Sequence, residues 1–383
     1  MNNSNNNNNN TSRGYNRRAH HAGSWYSDDK DTLDGTLSRY LALAAKEEDT
    51  QLTVSCLRGI ICPHAGFAYS GPTAAYGYHH LEQELAKKDS PIRHILVFHP
   101  SHHVCLDGCA VSGAQTLETP LGDLPVDTVL RDEILNLKKK QKLPGGEATV
   151  AFTVMSRNVD EAEHSGEMQY PYIAKAQNNA NKTKGGSTSI IPVLPIMCGN
   201  LSNSKESEYG KLLAGIVGRK DVVSVISTDF CHWGERFSYQ PRPSSSPDTN
   251  GIANGFANGF ANGFARKAKT TTTRTEIFEY IQNLDRRGMD HIEMKEPGAF
   301  AKYLKETRNT ICGRHAIQTW LNAIVHSEGN INTTNTNTNT NSNDDVGSLH
   351  IEFNKYAQSS KVRSMGESSV SYASAVARSF RSS

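Results

Sequence analysis

The chain has 383 residues, with 41 basic and 39 acidic side chains and a formal net charge of +2. The two signs are mixed along its length, with no basic stripe interleaved with aromatics, which argues against nucleic acid as a partner. No apolar run nears the ~18 residues of a membrane span and no secretory leader is evident, so the expectation is a cytoplasmic protein with reduced thiols, the nucleus also being open to it.

Three tracts stand apart by composition. Residues 2–10 are nearly all Asn, 252–264 repeat Ala-Asn-Gly-Phe, and 333–343 alternate Asn with Thr and Ser. Such tracts lack the apolar content to offset ordering entropy. The expected organisation is therefore a disordered terminus over 1–16 and one α/β domain over 17–383, with insertions at 241–272 and 329–347.

Taken in order, Ser27-Asp28-Asp29 reads as a cap for a helix carrying Leu33, Leu37, Tyr40 and Leu41. Leu57 to Cys62 is an apolar run ended by Pro63, His64, Ala65 and Gly66; a helix entered through Pro72 follows, then a strand over 94–98, making a βαβ unit. A helix from Pro125 to Leu137 leads to KKKQKLPGGE, read as a surface loop. Glu163 opens a helix through Ala176, and NNANKTKGGSTS reads as a flexible insertion. Pro192 and Pro195 make the 190–197 strand strained or an edge. A helix from Tyr209 to Val217 precedes the run VVSVISTDFCHWG, and two amphipathic helices (275–284, 297–305), a third (316–325) and two strands (349–356, 369–372) complete the chain.

Three of these strands end in histidine-bearing segments: His64 after the first, His99, His102 and His103 after the second, Asp229 and His232 after VVSVIS. Ligands of open α/β sheets bind outside the carboxyl ends of the strands, so the three ends point to one site built from distant segments. His64 and His102 are the expected metal ligands, since imidazole suits Fe, Cu and Zn. His103 would face away from His102 on an extended backbone. Asp229 and His232 read either as a proton-shuttling pair or ligand orienters, or as a turn cap and a packing residue against Trp233. Cys312, before Gly313, Arg314 and His315 at a helix start, has the setting of a stabilised thiolate. Glu163, His164 and Glu167 share a helix face at i and i+4; they read either as acid/base groups or as ordinary capping and surface charges, and spacing slightly favours the latter. Of the seven cysteines, Cys231 reads as buried, and Cys105 with Cys109 lacks a matching second pair for zinc.

Together HHAGSWY, PHAGFAYSGPTAA, PSHHV, TPLGDLPVD, EHSGEMQYPY, STDFCHWGERF, NTICGRH and YAQSS…SSVSYA resemble the Memo (mediator of cell motility) family over nearly the whole chain outside the low-complexity tracts. The resemblance implies a fold similar to the class III extradiol ring-cleaving dioxygenases: a central mixed sheet flanked by helices. It also implies a copper or iron site at His64, His102 and Cys312, with Asp229 and His232 as polar residues of the same pocket, and a role in redox signalling and relay of receptor signals to the cytoskeleton. A thiolate in place of the dioxygenase carboxylate is softer, which favours copper or sulfur-ligated iron over a ring-cleaving Fe(II) centre. Two alternatives stand beside this reading: a non-haem iron enzyme using His232 as acid/base, and an adaptor for phosphotyrosine-containing proteins with Arg314 as an anion contact. A homodimer is compatible with all three.

Overall fold

The computed structural model describes residues 14–48, 55–143, 146–186, 189–242, 275–334 and 346–381. Most of each low-complexity tract lies outside these residues. The chain enters the fold at β1 (Tyr15–Arg17), which starts inside the expected 1–16 tract, and continues into α1 (Lys30–Glu47). Asp29 caps α1 by accepting from the Thr32 N–H, and Leu33, Leu37, Tyr40, Leu41 and Ala44 form its buried stripe.

The expected βαβ unit is β2 (Ser55–Cys62), α2 (Phe67–Ala86) and β3 (His94–Pro100). Pro72 lies inside α2 rather than at its start; the helix already begins at Phe67, so the ring forfeits one backbone hydrogen bond within it. Short strands β4 (Cys109–Val111), β5 (Ala114–Leu117) and β6 (Leu124–Pro125) precede α3 (Thr128–Asn136). Most of the KKKQKLPGGE stretch is strand rather than surface loop: its described residues belong to β7 (Lys138–Leu143) and β8 (Gly146–Val154), paired antiparallel, and residues 144–145 lie outside the described residues. Alternating Val150 and Phe152 bury one face of β8, and a lysine-rich β7 at the sheet edge discourages pairing with other chains.

Where one helix was expected from Glu163 through Ala176 there are two, α5 (His164–Glu167) and α6 (Tyr170–Thr183), and a further short helix, α4 (Arg157–Ala162), precedes them. Glu163 has extended backbone and caps α5 through the Ser165 N–H, so the helical run is broken there. α6 continues into the stretch expected to be flexible, with Ala180 buried near its end. β9 (Val193–Cys198), α7 (Asn203–Val217), β10 (Val222–Ser227) and β11 (His232–Trp233) follow, then α8 (Ile277–Glu293), α9 (Pro297–Thr307), α10 (Arg314–Thr334), β12 (Val346–Gln358) and β13 (Ser369–Arg381). α10 thus extends into the expected 329–347 insertion, and β12 begins within it.

A ten-stranded mixed sheet runs β11-β13-β2-β10-β3-β9-β4-β8-β7, with β12 on β13, and helices flank it. β1, β5 and β6 form a separate small sheet. Strands β2, β10, β3 and β9 are mutually parallel and almost wholly buried, as their continuous apolar runs require. β9 is therefore interior, not an edge. Its Pro195 is tolerated because the Pro195 carbonyl accepts from Ser112 on the β4 side, so the missing N–H also faces that side, beyond the end of three-residue β4, and the β3 ladder loses no donor.

Candidate metal centre

His64, His102 and Asp229 each stand two residues beyond the carboxyl end of a parallel strand: β2, β3 and β10 respectively. Because β10 lies between β2 and β3, the three ends converge on one crevice. Among the described residues, the ligand nitrogens of His64, His102 and His164 all lie within 4.8 Å of one another. The His102 and His164 rings stack at 4.5 Å, and His64 meets each edge-on. Cys312, delivered by the turn before α10, brings its Sγ to 3.2 Å from His64 Nε2.

Hydrogen bonds fix which ring nitrogens face the crevice. Ser227 Oγ donates its single proton to the Ser165 carbonyl at 2.7 Å, so it accepts from His64 Nδ1 at 2.8 Å and from Gln169 Nε2 at 2.9 Å. His64 therefore carries its proton on Nδ1 and presents the Nε2 lone pair. Glu163 does the same for His102: its Oε1 accepts from His102 Nδ1 at 2.8 Å, and its Oε2 accepts from the His102 backbone N–H at 2.6 Å. The same Oε1 lies 3.5 Å from His164 Nδ1. This buried carboxylate thus orients the His102 imidazole, the arrangement that holds metal-ligating histidines in place, and lies beside that of His164.

The electrostatics follow from burial and from this pairing. Burial opposes charge on His102, but the Cys312 sulfur and the Glu163 carboxylate outweigh it and raise its pKa to about 10. Glu163 is buried too, yet its bond to His102 holds its pKa well below the usual carboxylate range. Burial, then the facing His102 charge, lower His164 to about 3 and push His64 well below the ordinary imidazole value. Burial also raises the Cys312 thiol, against the pull of His102. The expected thiolate stabilisation at a helix start is thus outweighed by desolvation. Because burial favours the protonated Cys312 and Glu163 favours the protonated His102, a metal held by these two side chains would bind by displacing protons.

Asp229 accepts from the His64 backbone N–H at 2.9 Å and its own N–H points at Cys312 Sγ at 3.2 Å, so it fixes the ligand segments, and burial raises its pKa. His232 is held through its backbone N–H on Thr310 Oγ1 and its Nδ1 at 2.9 Å from the Phe230 carbonyl, leaving Nε2 free of that bond. Its ring meets Phe237 edge-on. His103 lies on the exposed loop with its ring 5.8 Å from His164, and His99 is buried with its Nδ1 3.1 Å from Ser165 Oγ and is not one of the clustered histidines. Cys231 is fully buried and its thiol is pushed up by burial.

Glu163, His164 and Glu167 are the residues whose spacing in the sequence slightly favours ordinary capping and surface charge. Glu167, completely buried, accepts from the His21 backbone and Tyr26 hydroxyl and pairs with Arg17 at 2.7 Å. This brings the N-terminal segment against the site, where the Trp25 ring lies 4.4 Å from that of His164. The signal available was two acids, a histidine and two small residues within EHSGE, which helix-face spacing alone could not separate from a capped surface helix. A cavity of about 410 Å³ lined by His102, His103, Cys198, Cys312, Arg314 and His315, among others, leads to the cluster.

Fold and site together define an α/β protein whose histidine cluster, at the carboxyl ends of parallel strands, can hold a metal ion. Residues 17–376 match the family described as Memo-like protein. Protein memo-1 homolog of Caenorhabditis elegans is 36% identical over 94% of this chain and 82% of its own length. Protein MEMO1 of Danio rerio is 35% identical, and that of Homo sapiens 34%, each over 93% of this chain and 95% of its own. The chain belongs to the Memo family. Among the described residues no helix is long and apolar enough to cross a membrane.

Proposed function

We propose that this chain binds one redox-active metal ion, copper or iron, through His64 Nε2, His102 Nε2 and Cys312 Sγ, with His164 completing the cluster. The observation that carries this is the approach of Cys312 Sγ to 3.2 Å from His64 Nε2, beside two more imidazoles and under an orienting carboxylate. The donor set fits either metal: three imidazoles and a thiolate suit Cu(I) and sulfur-ligated iron. A bound ion of this kind supplies one-electron chemistry. The protein's own part is to present the ligand atoms, with Ser227 and Glu163 fixing two tautomers and Asp229 anchoring the His64 backbone. Asp229 and His232 are the candidate acid/base or orienting groups of the pocket. His232 suits that role because its Nδ1 is taken up by carbonyls, so its Nε2 can accept a proton.

Membership of the family supports, as the cellular role, metal and redox control coupled to signalling toward the cytoskeleton and cell motility, in the cytoplasm and, as a further compartment, the nucleus. Phosphotyrosine-containing signalling proteins are the partners this reading favours. The test is an anaerobic titration with Cu(I) and Fe(II) of wild type, His64→Ala and Cys312→Ala. Wild type should take up one equivalent and both variants should lose it. Equal weak binding by all three would remove the metal reading. Oxygen uptake with catechols then separates a redox carrier from an oxygenase.

A further inference from the structure

Cys109 and Cys198 face each other directly across the antiparallel pair β4–β9. The flanking bonds, Gly199 N–H to the Gly108 carbonyl and Ser112 N–H to the Pro195 carbonyl, place the hydrogen-bonded pairs at 108/199, 110/197 and 112/195. Cys109 and Cys198 therefore occupy a non-hydrogen-bonded pair, where side chains on one face come closest and the Cα atoms stand roughly 4.5 Å apart. That separation lies within the roughly 4.4–6.8 Å that a disulfide spans. Each residue is 1% exposed, yet Cys198 also forms part of the wall of the cavity that leads to His102 and Cys312.

The pair has a further geometric property. On its other side Cys198 is in register with Pro100, the last residue of β3. The segment from Ser101 to Gly108 carries His102 and runs from the end of β3 to Cys109, the first residue of β4. The end of β9 thus touches both roots of the loop that bears this imidazole.

We propose that Cys109 and Cys198 are a thiol–disulfide pair, oxidised by a peroxide entering through the cavity, whose bridge fastens the His102 loop at its C-terminal root. Cys198, on the cavity wall, is oxidised first: its sulfur takes one oxygen from hydrogen peroxide, giving a sulfenic acid and releasing water. The Cys109 sulfur then displaces that hydroxyl group, forming the S–S bond and a second water, so two thiols and one peroxide yield one disulfide and two waters. The step needs no metal, and it stands whether or not the histidine cluster binds one.

The experiment uses the full chain stripped of metal by a chelator. It is treated with hydrogen peroxide, alkylated in denaturant, digested without reductant and analysed by mass spectrometry. A linked Cys109–Cys198 peptide should appear, with two of the seven cysteines lost to alkylation and recovered by dithiothreitol. The same link should form in His64→Ala, which separates this result from the metal titration. In Cys109→Ala, Cys198 should accumulate as sulfenic acid trapped by dimedone, whereas in Cys198→Ala, Cys109 should remain alkylatable. Full alkylation of both cysteines in peroxide-treated wild type, or links from Cys198 to Cys105 or Cys312 instead, would overturn the proposal.

Discussion

Glu163 shows how a single side chain can be invisible to spacing and central to a site. As a position in EHSGE it looks like a helix cap, which it also is, through the Ser165 N–H. Its second task, orienting His102 and lying against His164, depends on β3 ending where it does, and no local pattern encodes that. His64 and His102 were legible because each follows an apolar strand by two residues; His164 follows a helix turn and carried no such cue. Glu163→Gln should weaken metal binding about 10–100-fold, the usual effect of losing a partner of a ligating histidine. Chelator competition measures this, and unchanged affinity would remove Glu163 from the site. Glu161, two residues earlier, supports only structure. Its bond to Arg18 outweighs burial and lowers its pKa from the ordinary 4.5 to about 2. A lowered folded-state pKa stabilises the fold above the unfolded value, and that contribution fades as pH falls. The gap in thermal midpoint between wild type and Glu161→Gln should therefore be full above about pH 4.5 and close as pH approaches 2.

Elements are held in register at the site by close backbone approach and by one buried cation. The turn before α10 passes so near β10 that a Cβ at Gly313 would come within 2.4 Å of the Thr228 Cβ and 2.5 Å of the Ser227 carbonyl oxygen. Gly313→Ala should push the turn outward, costing about 1–3 kcal/mol as overpacking does. It should also move Cys312 away from His64, so metal affinity should fall further than the loss of stability explains. Calorimetric unfolding and Cu(I) titration on the same variant read the two effects separately. Arg17 plays the matching part for the N-terminal segment: 1% exposed, it pairs with Asp160 at 2.9 Å and Glu167 at 2.7 Å and donates to the Glu163 carbonyl. Arg17→Met leaves two buried carboxylates without their cation and should cost about 3–5 kcal/mol in urea unfolding. The periodic helices and parallel strands were readable because burial imposes their patterns. β7 and the break at Glu163 were not, since a charged edge strand resembles a loop and a side-chain cap leaves the apolar spacing intact.

At the scale of the whole molecule, the question is how the Ala-Asn-Gly-Phe tract, inside residues 243–274 and outside the described structure, relates to the sheet. The chain on either side of it is tied to a single segment between β12 and β13: Gln240 donates to the Met365 carbonyl at 2.7 Å, and the Phe278 N–H donates to the Val362 carbonyl at 3.0 Å. Both attachments are therefore close together in space, and neither residue belongs to the histidine cluster. Replacing 243–274 by a Gly/Ser linker of about a quarter of its length should leave folding and metal stoichiometry intact. Loop-closure entropy changes by only about 0.6 kcal/mol per halving, so the shortened chain should be about 1 kcal/mol more stable if the rest of the fold is unaffected. Urea unfolding of the two chains, followed by Cu(I) titration, checks both parts. A shortened chain that fails to fold, or folds without binding metal, would mean that the tract contributes to the sheet's support or to the site, and the reading of it as an insertion would be lost.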